Sequence, residues 1–184
     1  MPSEGPSDFE LIDRFLAGEM SAFEALVQRY HRDVYRVTYR MTQNVDDAQD
    51  LTQETFLQVY RALWGFKRQA GFSTWLYRIA MRLCFHHRKR SGRLPPGAEV
   101  PERPTDSAQP LRNVLQAEQR HAVATAMATL PPQQRAALTL RIHQNLSYKE
   151  IGTALRCSEG AARANVFHAI QKLRTQLAGF GEES

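Results

Sequence analysis

The chain has 184 residues with a formal net charge of +5; 42% of its residues are hydrophobic and 23% are charged. This composition is typical of one globular domain or two small ones, and the positive balance favours an anionic partner. Cys84 and Cys157 are too far apart for a disulfide framework or a zinc knuckle, and no apolar run approaches the roughly 20 residues that cross a bilayer. The N-terminus has acids and prolines where a signal peptide needs a basic and then an apolar stretch. We therefore expect a cytoplasmic protein that does not insert into membranes.

Helical periodicity runs through the first half of the chain, after a flexible tail at residues 1–8. Apolar residues recur at helical spacing from Phe9 onwards, without strand-like alternation. In the fourth helix Trp75 falls on the buried stripe, whereas Trp64 before it could face either way. The expected boundaries are, in chain order, an end at Gly18, a cap at Ser21, an end near Thr42, a helix from about Asp46 to Trp64, and a cap at Ser73. These helices define a first domain at residues 9–90.

A proline-rich segment at residues 91–110 interrupts the helical pattern. Its five prolines and near lack of large apolar side chains predict an extended linker. Helical spacing returns at residues 111–184, where Pro131 and Pro132 suit the first turn of a helix. The buried side of the helix before them is expected to carry Leu111, Val114, Leu115, Val123 and Met127. The expected fold class is therefore all-α, with two small helical domains joined by a proline-rich linker.

The last two helices form a candidate helix-turn-helix. Ser147 and Glu150 make a capping box for the first helix, and Ser158 caps the second. The turn position that usually holds glycine is Arg156, where a left-handed conformation costs on the order of 1 kcal/mol. Such a hairpin is also a common packing unit. The final helix has an inward stripe of Ala162, Val166, Ala169, Ile170, Leu173 and Leu177, and an outward set of Arg163, Asn165, Phe167, His168 and Gln171.

The stretch at residues 61–93 contains nine arginines or lysines and no aspartate or glutamate. Aromatic side chains are threaded through it, and four acids precede it within residues 46–54. Cations beside ring faces suit a partner with phosphates and exposed bases. A solvated basic helix packed on a core would show the same pattern. On the fourth helix the cations expected on the face away from the apolar stripe are Arg78, Arg82, His86 and Lys89.

Four ordered segments carry a family resemblance: DDAQDLTQETFLQVYRAL (46–63), FSTWLYRIAMRLCFHHRKR (72–90), LPPQQRAALTLR (130–141) and LSYKEIGTALRCSEGAARANVFHAIQKLR (146–174). Together they resemble the extracytoplasmic-function group of the sigma-70 family of bacterial RNA polymerase sigma factors. The resemblance implies a sigma region 2 at residues 9–90 and a sigma region 4 at residues 111–184. It implies a promoter-specificity factor that binds core RNA polymerase, recognises −35 and −10 elements and helps to melt DNA, with no catalysis, cofactor or metal of its own.

The resemblance also implies partners and binding positions. The partners are the β′ clamp helices and β flap of core polymerase, promoter DNA in double- and single-stranded form, and an anti-sigma factor. The protein would be nucleoid-associated when active and held at the membrane by the anti-sigma factor otherwise. The implied polymerase-binding residues are Asp47, Asp50, Gln53, Glu54 and Phe56. The implied −10 residues are Arg61, Lys67, Arg68, Arg78, Arg82 and Lys89, with the loop at 65–71 holding a flipped base. The implied −35 residues are Arg163, Ala164, Asn165, Phe167 and His168.

Some positions depart from the family pattern. Many members have asparagine where this chain has Arg82 and aspartate where it has His86. Residues 160–165 read GAARAN where G-T-V-K-S-R is common, so hydroxyl and cationic donors are fewer. The promoter sequence read by other members therefore does not transfer to this chain.

Two other functions stay open at this level. A stand-alone helix-turn-helix regulator would use only the last two helices and would leave residues 46–90 unexplained. A metal-dependent enzyme would use Cys84, His86 and His87, because Cys84 and His87 lie three residues apart on one helix face. No fourth ligand or carboxylate base lies near them in the sequence, however, and a catalytic metal site needs an organised outer shell.

Overall fold

The computed structural model describes residues 5–91 and 121–178, and every regular element in these ranges is a helix, as predicted. The N-terminal unit contains α1 (Asp8–Leu16), α2 (Met20–Thr42), α3 (Val45–Ala62), a 3-10 turn (Leu63–Gly65) and α4 (Phe72–Ser91). The C-terminal unit contains α5 (its described part is 121–129), α6 (Pro132–His143), α7 (Tyr148–Leu155) and α8 (Glu159–Leu177). The predicted linker beyond residue 91, and Leu111, Val114 and Leu115, lie outside the described residues.

Several predicted helix boundaries are confirmed by the capping contacts. Gly18 has a φ of 102° and follows α1, so the chain turns where glycine is favoured. The capping box before α7 is present, with the Glu150 carboxylate accepting from the Ser147 amide at 2.8 Å. The Ser158 hydroxyl accepts from the Ala161 amide at 3.1 Å and caps α8. Side chains that can satisfy unpaired amides therefore mark these starts in the sequence.

Two predicted caps are wrong. Helix α2 begins at Met20, and Ser21 lies inside its first turn with its hydroxyl donating to Glu19 at 3.0 Å. Helix α4 begins at Phe72, because the Gly71 carbonyl already accepts from the Trp75 amide at 3.1 Å. In both cases the serine is the second residue of the helix, two residues after the actual cap position. A serine within the first turn gives the same sequence signal as a serine at the cap.

The expected flexible tail at residues 1–8 overlaps α1, which already starts at Asp8 behind a Ser7 cap, and residues 1–4 lie outside the described residues. The Asp8 carboxylate accepts from Arg29 and from the Tyr30 hydroxyl, both on α2. Arg29 also donates to the Pro6 carbonyl at 2.7 Å. These contacts fix the start of α1 against α2 before the core begins.

The N-terminal unit is a helical bundle around one apolar core. Trp75 is 9% exposed and lies in this core, which confirms its predicted position on the buried stripe. A buried polar contact couples α2 to α3, since the Thr38 and Thr52 hydroxyls are 2.9 Å apart and Thr38 also donates to the Ala48 carbonyl at 3.1 Å. These contacts fix the register of α3 against α2, and α3 carries the acidic positions singled out above.

The C-terminal unit is built around α6, whose residues 135–140 are all buried. Pro131 and Pro132 open this helix as expected. The prediction that Val123 and Ile170 face inward is wrong, because Val123 on α5 is 40% exposed and Ile170 on α8 is 36% exposed. Helical spacing identifies the side of a helix that faces its neighbours, but it does not show how far those neighbours extend over that side.

The two units pack directly against each other, α2 against α6 and α4 against α7. Three hydrogen bonds join residues far apart in the chain: Arg135 Nη1 to the Met41 carbonyl at 3.2 Å, Gln43 Nε2 to the Ala124 carbonyl at 2.8 Å, and Tyr77 Oη to Gln144 Oε1 at 2.6 Å. We call this contact the docking interface. It combines apolar packing with polar groups, as is usual for interfaces between domains of one chain.

Arg135 is the most unusual residue of the docking interface, because it is 0% exposed. No aspartate or glutamate of residues 5–91 and 121–178 forms an ion pair with it; its guanidinium donates to the carbonyls of Met41, Ala128 and Leu130. Burial, and then the charge of Arg88, lower its pKa to about 10. Met41 lies in the last turn of α2, where the helix dipole favours a cation. The cation is therefore stabilised by backbone dipoles.

Candidate nucleic-acid interface

The predicted acidic positions lie along α3. Asn44 caps the helix by accepting from the Asp47 amide at 2.9 Å. Asp50 and Gln53 are exposed, and the half-buried Glu54 accepts from the Gln58 amide group at 2.9 Å. Asp47 is also half-buried and lies 3.2 Å from His87 Nε2 on α4. We call Asp47, Asp50, Gln53 and Glu54 the acidic face.

Phe56 was predicted to belong to the same binding set, but it is only 8% exposed. Its ring stacks on His31 of α2, with 6.1 Å between the ring centroids and 11° between the planes. The side chain therefore anchors α3 on α2 and contributes to the acidic face through the position of that helix.

A groove of about 800 Å³ runs beside α4 and brings together three predicted DNA-binding residues, Arg61, Arg78 and Arg82. Gln58 also lies on its wall and accepts a hydrogen bond from Arg82. The wall on the other side belongs to the C-terminal unit and includes Arg156 of the helix-turn-helix. Its remaining lining residues are Ala62, Trp75, Ile79, Phe85, His86, Ala154 and Leu155. We call this the basic groove. Cations around an apolar floor can hold a backbone of phosphates and the bases attached to it.

The loop at residues 65–71 lies outside the lining of the basic groove. Phe66 anchors the loop, since its ring centroid is 4.8 Å from that of Trp75. Lys67 and Arg68 are exposed, and Arg68 has a left-handed backbone with a φ of 53°. Arg68 forms an ion pair with Asp13 of α1. Lys89 is exposed near the end of α4, away from the groove lining.

Trp64, for which the sequence left both orientations open, is 66% exposed. Its ring still contacts Phe15, with 5.8 Å between the centroids. The same Phe15 ring is 5.5 Å from Tyr60, which is 39% exposed. Trp64 is therefore a surface residue at the edge of an aromatic cluster.

The turn of the helix-turn-helix depends on Gly152. A Cβ at this position would lie 2.8 Å from the Cys157 carbonyl oxygen, closer than real Cβ atoms approach backbone. The Cys157 amide bonds to the Gly152 carbonyl at 2.9 Å, and Arg156 has a φ of 58°. The left-handed conformation predicted for Arg156 is therefore confirmed. Glycine allows α7 to approach the turn closely enough to fix the angle of α8.

Helix α8 exposes four of the five predicted −35 residues, Arg163, Ala164, Phe167 and His168, and half-buries Asn165. Phe167 is 57% exposed, and its ring meets the His168 ring edge-on at 5.7 Å. A helix that bound only DNA phosphates would not need an exposed phenylalanine at this position. An apolar ring beside an imidazole on an open helix face is available for contact with a partner.

Sequence reasoning missed Arg141 and Tyr148. The guanidinium carbon of Arg141 lies 4.9 Å from the Tyr148 ring centroid, and that of Arg163 lies 5.2 Å from the same centroid. Arg163 also contacts Glu159 at 3.3 Å. Two cations on one ring prearrange the guanidinium groups beside α8. The sequence gives one signal for this cluster, since Tyr148 directly follows the cap of α7 and so lies at the start of the helix-turn-helix.

The cysteine and histidines of the alternative metal site lie on α4 but differ in environment. Burial raises the pKa of Cys84 to about 12, so its thiol stays protonated at neutral pH. His87 contacts Asp47 and His86 is exposed. Within residues 5–91 and 121–178, no group of three or more histidine, cysteine, aspartate or glutamate side chains is arranged to hold a metal ion. None of the helices in these ranges is long and apolar enough to cross a membrane.

Comparison with known proteins agrees with this arrangement. Residues 26–94 match Sigma-70 region 2, and residues 120–173 match Sigma-70, region 4. The chain is 34% identical over 180 residues to the RNA polymerase sigma-H factor of Pseudomonas aeruginosa, covering 92% of this chain and 93% of that protein. It is 33% identical over 185 residues to the ECF RNA polymerase sigma-E factor of Escherichia coli K12, covering 95% and 96%.

Two solved structures share the fold. CnrH, in complex with the cytosolic domain of CnrY, has a TM-score of 0.71 at 20% identity and covers 95% of this chain and 99% of that one. The Bartonella quintana sigma factor RpoE, in complex with the anti-sigma factor NepR, has a TM-score of 0.70 at 18% identity and covers 85% and 96%.

The fold and the two matched domains define a promoter-recognition factor for transcription initiation. The chain belongs to the extracytoplasmic-function group of the sigma-70 family. The alternative of a stand-alone regulator is wrong, because the N-terminal unit matches a sigma domain as clearly as the C-terminal unit does.

Proposed function

We propose that the acidic face docks this sigma factor on core RNA polymerase. Asp50 and Gln53 are exposed on one helix, with Asp47 and Glu54 beside them, and fixed carboxylates complement a basic coiled coil such as the β′ clamp helices. The Asn44 cap already satisfies the first turn of α3, so the carboxylates of Asp50 and Glu54 are not needed to cap it. The C-terminal unit would engage the β flap.

The N-terminal side of the basic groove is the proposed binding site for the −10 element as a single strand, because Ala154, Leu155 and Arg156 on the other side move away when the two units separate. Arg61, Arg78 and Arg82 line the groove together with the half-buried ring of Phe85. Stacking on aromatic rings stabilises an exposed base by about 1–3 kcal/mol, and cations alongside bind the backbone. A surface that binds unpaired bases in this way favours the melted form of the promoter over the duplex. The loop at residues 65–71 would hold a flipped base, with Lys67 binding the backbone beside it and Lys89 binding the backbone near the other end of α4.

Helix α8 is the proposed reader of the −35 element in the major groove. Arg163 is already held beside Tyr148, and a guanidinium can donate two hydrogen bonds to a guanine edge. Ala164, Phe167 and His168 lie on the same exposed surface, and Phe167 can contact a thymine methyl group. Lys172 and Arg174 further along α8 are exposed and would bind phosphates.

Promoter binding requires the docking interface to open. The −35 and −10 elements are centred about 25 base pairs apart, which is roughly 85 Å at 3.4 Å per base pair. Helix α4 packs directly against α7, and packed helices lie about 8–10 Å apart. One DNA molecule cannot place both elements on units this close together. The docked arrangement is therefore a resting form, and the extended form binds the promoter.

The chain is also proposed to act without catalysis of its own and under the control of another protein. The bond-making step belongs to the polymerase, and the chain contributes binding and strand separation without a cofactor. An anti-sigma factor would hold the chain inactive, since the Bartonella quintana sigma factor RpoE forms a complex with the anti-sigma factor NepR. The protein would act in the cytoplasm, on the nucleoid when released.

Charge reversal on the acidic face tests the polymerase contact. The double variant Asp50→Lys, Glu54→Lys should lose capture of core polymerase by tenfold or more, as expected when like charges replace a complementary pair of sites. Its binding to a −35 duplex should stay unchanged. Glu24→Lys, an exposed charge reversal on α2, is the matched control. Equal core capture by the double variant and the control would refute the assignment.

A further inference from the structure

The loop at residues 65–71 is fastened to α1. Arg68 and Asp13 form an ion pair although 55 residues separate them in the chain. The guanidinium carbon of Arg68 also lies 5.4 Å from the centroid of the Phe9 ring. Arg68 therefore has two partners on one helix, a carboxylate and a ring face, which together fix its direction.

Phe9 makes a second contact with the same loop. Its ring stacks on Phe66 with 6.4 Å between centroids and 18° between the planes. Phe66 in turn packs on Trp75 at 4.8 Å and on Phe72 at 6.1 Å. The loop is thus held between the core of the N-terminal unit on one side and α1 on the other.

The backbone conformation of Arg68 is one that needs support from surrounding residues. Its φ of 53° is left-handed, a region that long side chains rarely occupy without support from their surroundings. The contacts with Asp13 and Phe9 provide that support. Lys67, its neighbour, is exposed and has no ion pair within residues 5–91 and 121–178, so the two adjacent cations differ in what they contact.

We propose that Asp13 and Phe9 are positioning residues for the base-holding loop, and that Arg68 acts through α1 instead of binding the DNA backbone. This inference rests on the proposed function, in which the loop holds a flipped base of the −10 element. Helix α1 sets the position of the loop, and Lys67 remains directed to the DNA. The N-terminal helix thereby influences which base is accepted, although it contacts no base itself.

A charge swap separates this role from a direct phosphate contact. Asp13→Arg and Arg68→Asp each break the ion pair, and the double variant Asp13→Arg, Arg68→Asp restores it in reverse. Aspartate tolerates the left-handed conformation better than most residues, so position 68 can accept it. If Arg68 instead binds a phosphate, aspartate there repels the DNA whatever residue stands at position 13.

Two readouts complete the test. Hydrogen exchange of loop amides in the free protein should become about fivefold faster in each single variant, the upper range for an exposed ion pair, and return to the wild-type rate in the double variant. Run-off transcription on templates with each base at every −10 position should show a broadened base preference in the single variants and a restored one in the swap. Arg14→Gln, which removes a different exposed ion pair from α1, is the matched control and should change neither.

The two readouts also separate the inference from the proposed function. If wild-type protein fails to direct transcription, the proposed function fails, while loop exchange still reports whether α1 holds the loop. The inference is overturned if exchange is the same in all variants. It is also overturned if the swap transcribes as poorly as Arg68→Asp alone while Asp13→Arg matches wild type.

Discussion

Tyr77→Phe perturbs the docking interface by removing one hydroxyl group. Tyr77 is 2% exposed, and its hydroxyl donates to Gln144 Oε1 at 2.6 Å across the two units. Burial raises the pKa of Tyr77, so the donor proton is retained at all ordinary pH values. Phenylalanine keeps the ring in the core but leaves the half-buried Gln144 oxygen without its donor. Loss of a hydrogen bond to a half-buried acceptor costs about 0.5–1.5 kcal/mol.

This free-energy cost determines how far the equilibrium between the docked and open forms shifts. The cost applies to the docked form alone, because Gln144 can bind water when the units separate. At 1.4 kcal/mol per factor of ten, the docking equilibrium should shift toward the open form by about 2- to 12-fold. Each unit keeps its own core, so α1–α4 and α5–α8 should remain folded.

Energy transfer between dyes attached at Gln28 on α2 and Gln171 on α8, each replaced by cysteine, would measure the change. Both positions are exposed. Tyr60→Phe is the matched control, since the Tyr60 ring packs within the N-terminal unit at 5.2 Å from Phe23. Tyr77→Phe should lower transfer and the control should not. An open fraction within twofold of wild type in Tyr77→Phe would refute the account of the interface.

Three further changes probe the helix-turn-helix and the core. Gly152→Ala should reduce the free energy of unfolding by about 1–3 kcal/mol in urea and weaken −35 duplex binding, because the added Cβ would lie 2.8 Å from a backbone oxygen. Gly160→Ala is the control: the nearest atom to its added Cβ is 4.0 Å away, so this variant should be neutral or stabilising. Tyr148→Ala should weaken −35 binding by about 0.5–1 kcal/mol per lost cation contact in gel-shift assays, and Tyr148→Phe should not; equal binding by both variants would contradict a role for the ring. Cys84, with a pKa raised to about 12, should resist iodoacetamide at pH 8 by mass spectrometry and react after denaturation; rapid labelling of folded protein would contradict its burial.

The parts of the fold that depend on local signals could be predicted from sequence. Helical spacing and capping groups indicated the helices, the box at Ser147 and the left-handed turn at Arg156. These features depend on residues within about one helical turn of each other, so the sequence carries them directly. The serine caps at positions 21 and 73 failed for a local reason, since a hydroxyl one residue inside the helix resembles one at its start.

The docking interface could not be predicted, because its contacts join distant parts of the chain. Arg135 bonds to a carbonyl 94 residues away, and Gln43 to one 81 residues away. A charged residue in an amphipathic pattern predicts exposure, and only the assembled fold brings the α2 terminus close enough to stabilise a buried guanidinium. The linker pattern predicted two units but gave no sign that they pack together.

The candidate site likewise has features that could be predicted from sequence and features that could not. The exposed faces of α3, α4 and α8 were predictable because surface residues fall opposite the apolar stripes. The burial of Phe56, the attachment of Arg68 to α1 and the stack on Tyr148 depend on neighbouring helices. Family resemblance assigned roles by position, and the structure adds which of those side chains already have partners.

Run-off transcription with purified core polymerase tests the central claim most directly, namely that one face of this chain binds polymerase while another binds the melted promoter. Wild-type protein should start transcription at a defined site, and Asp50→Lys, Glu54→Lys should abolish it on all templates. Arg78→Gln, Arg82→Gln should abolish it on a duplex promoter but recover at least in part on a template with a premelted −10 region. Equal loss by both double variants on the premelted template, or full activity of either on the duplex, would contradict this division.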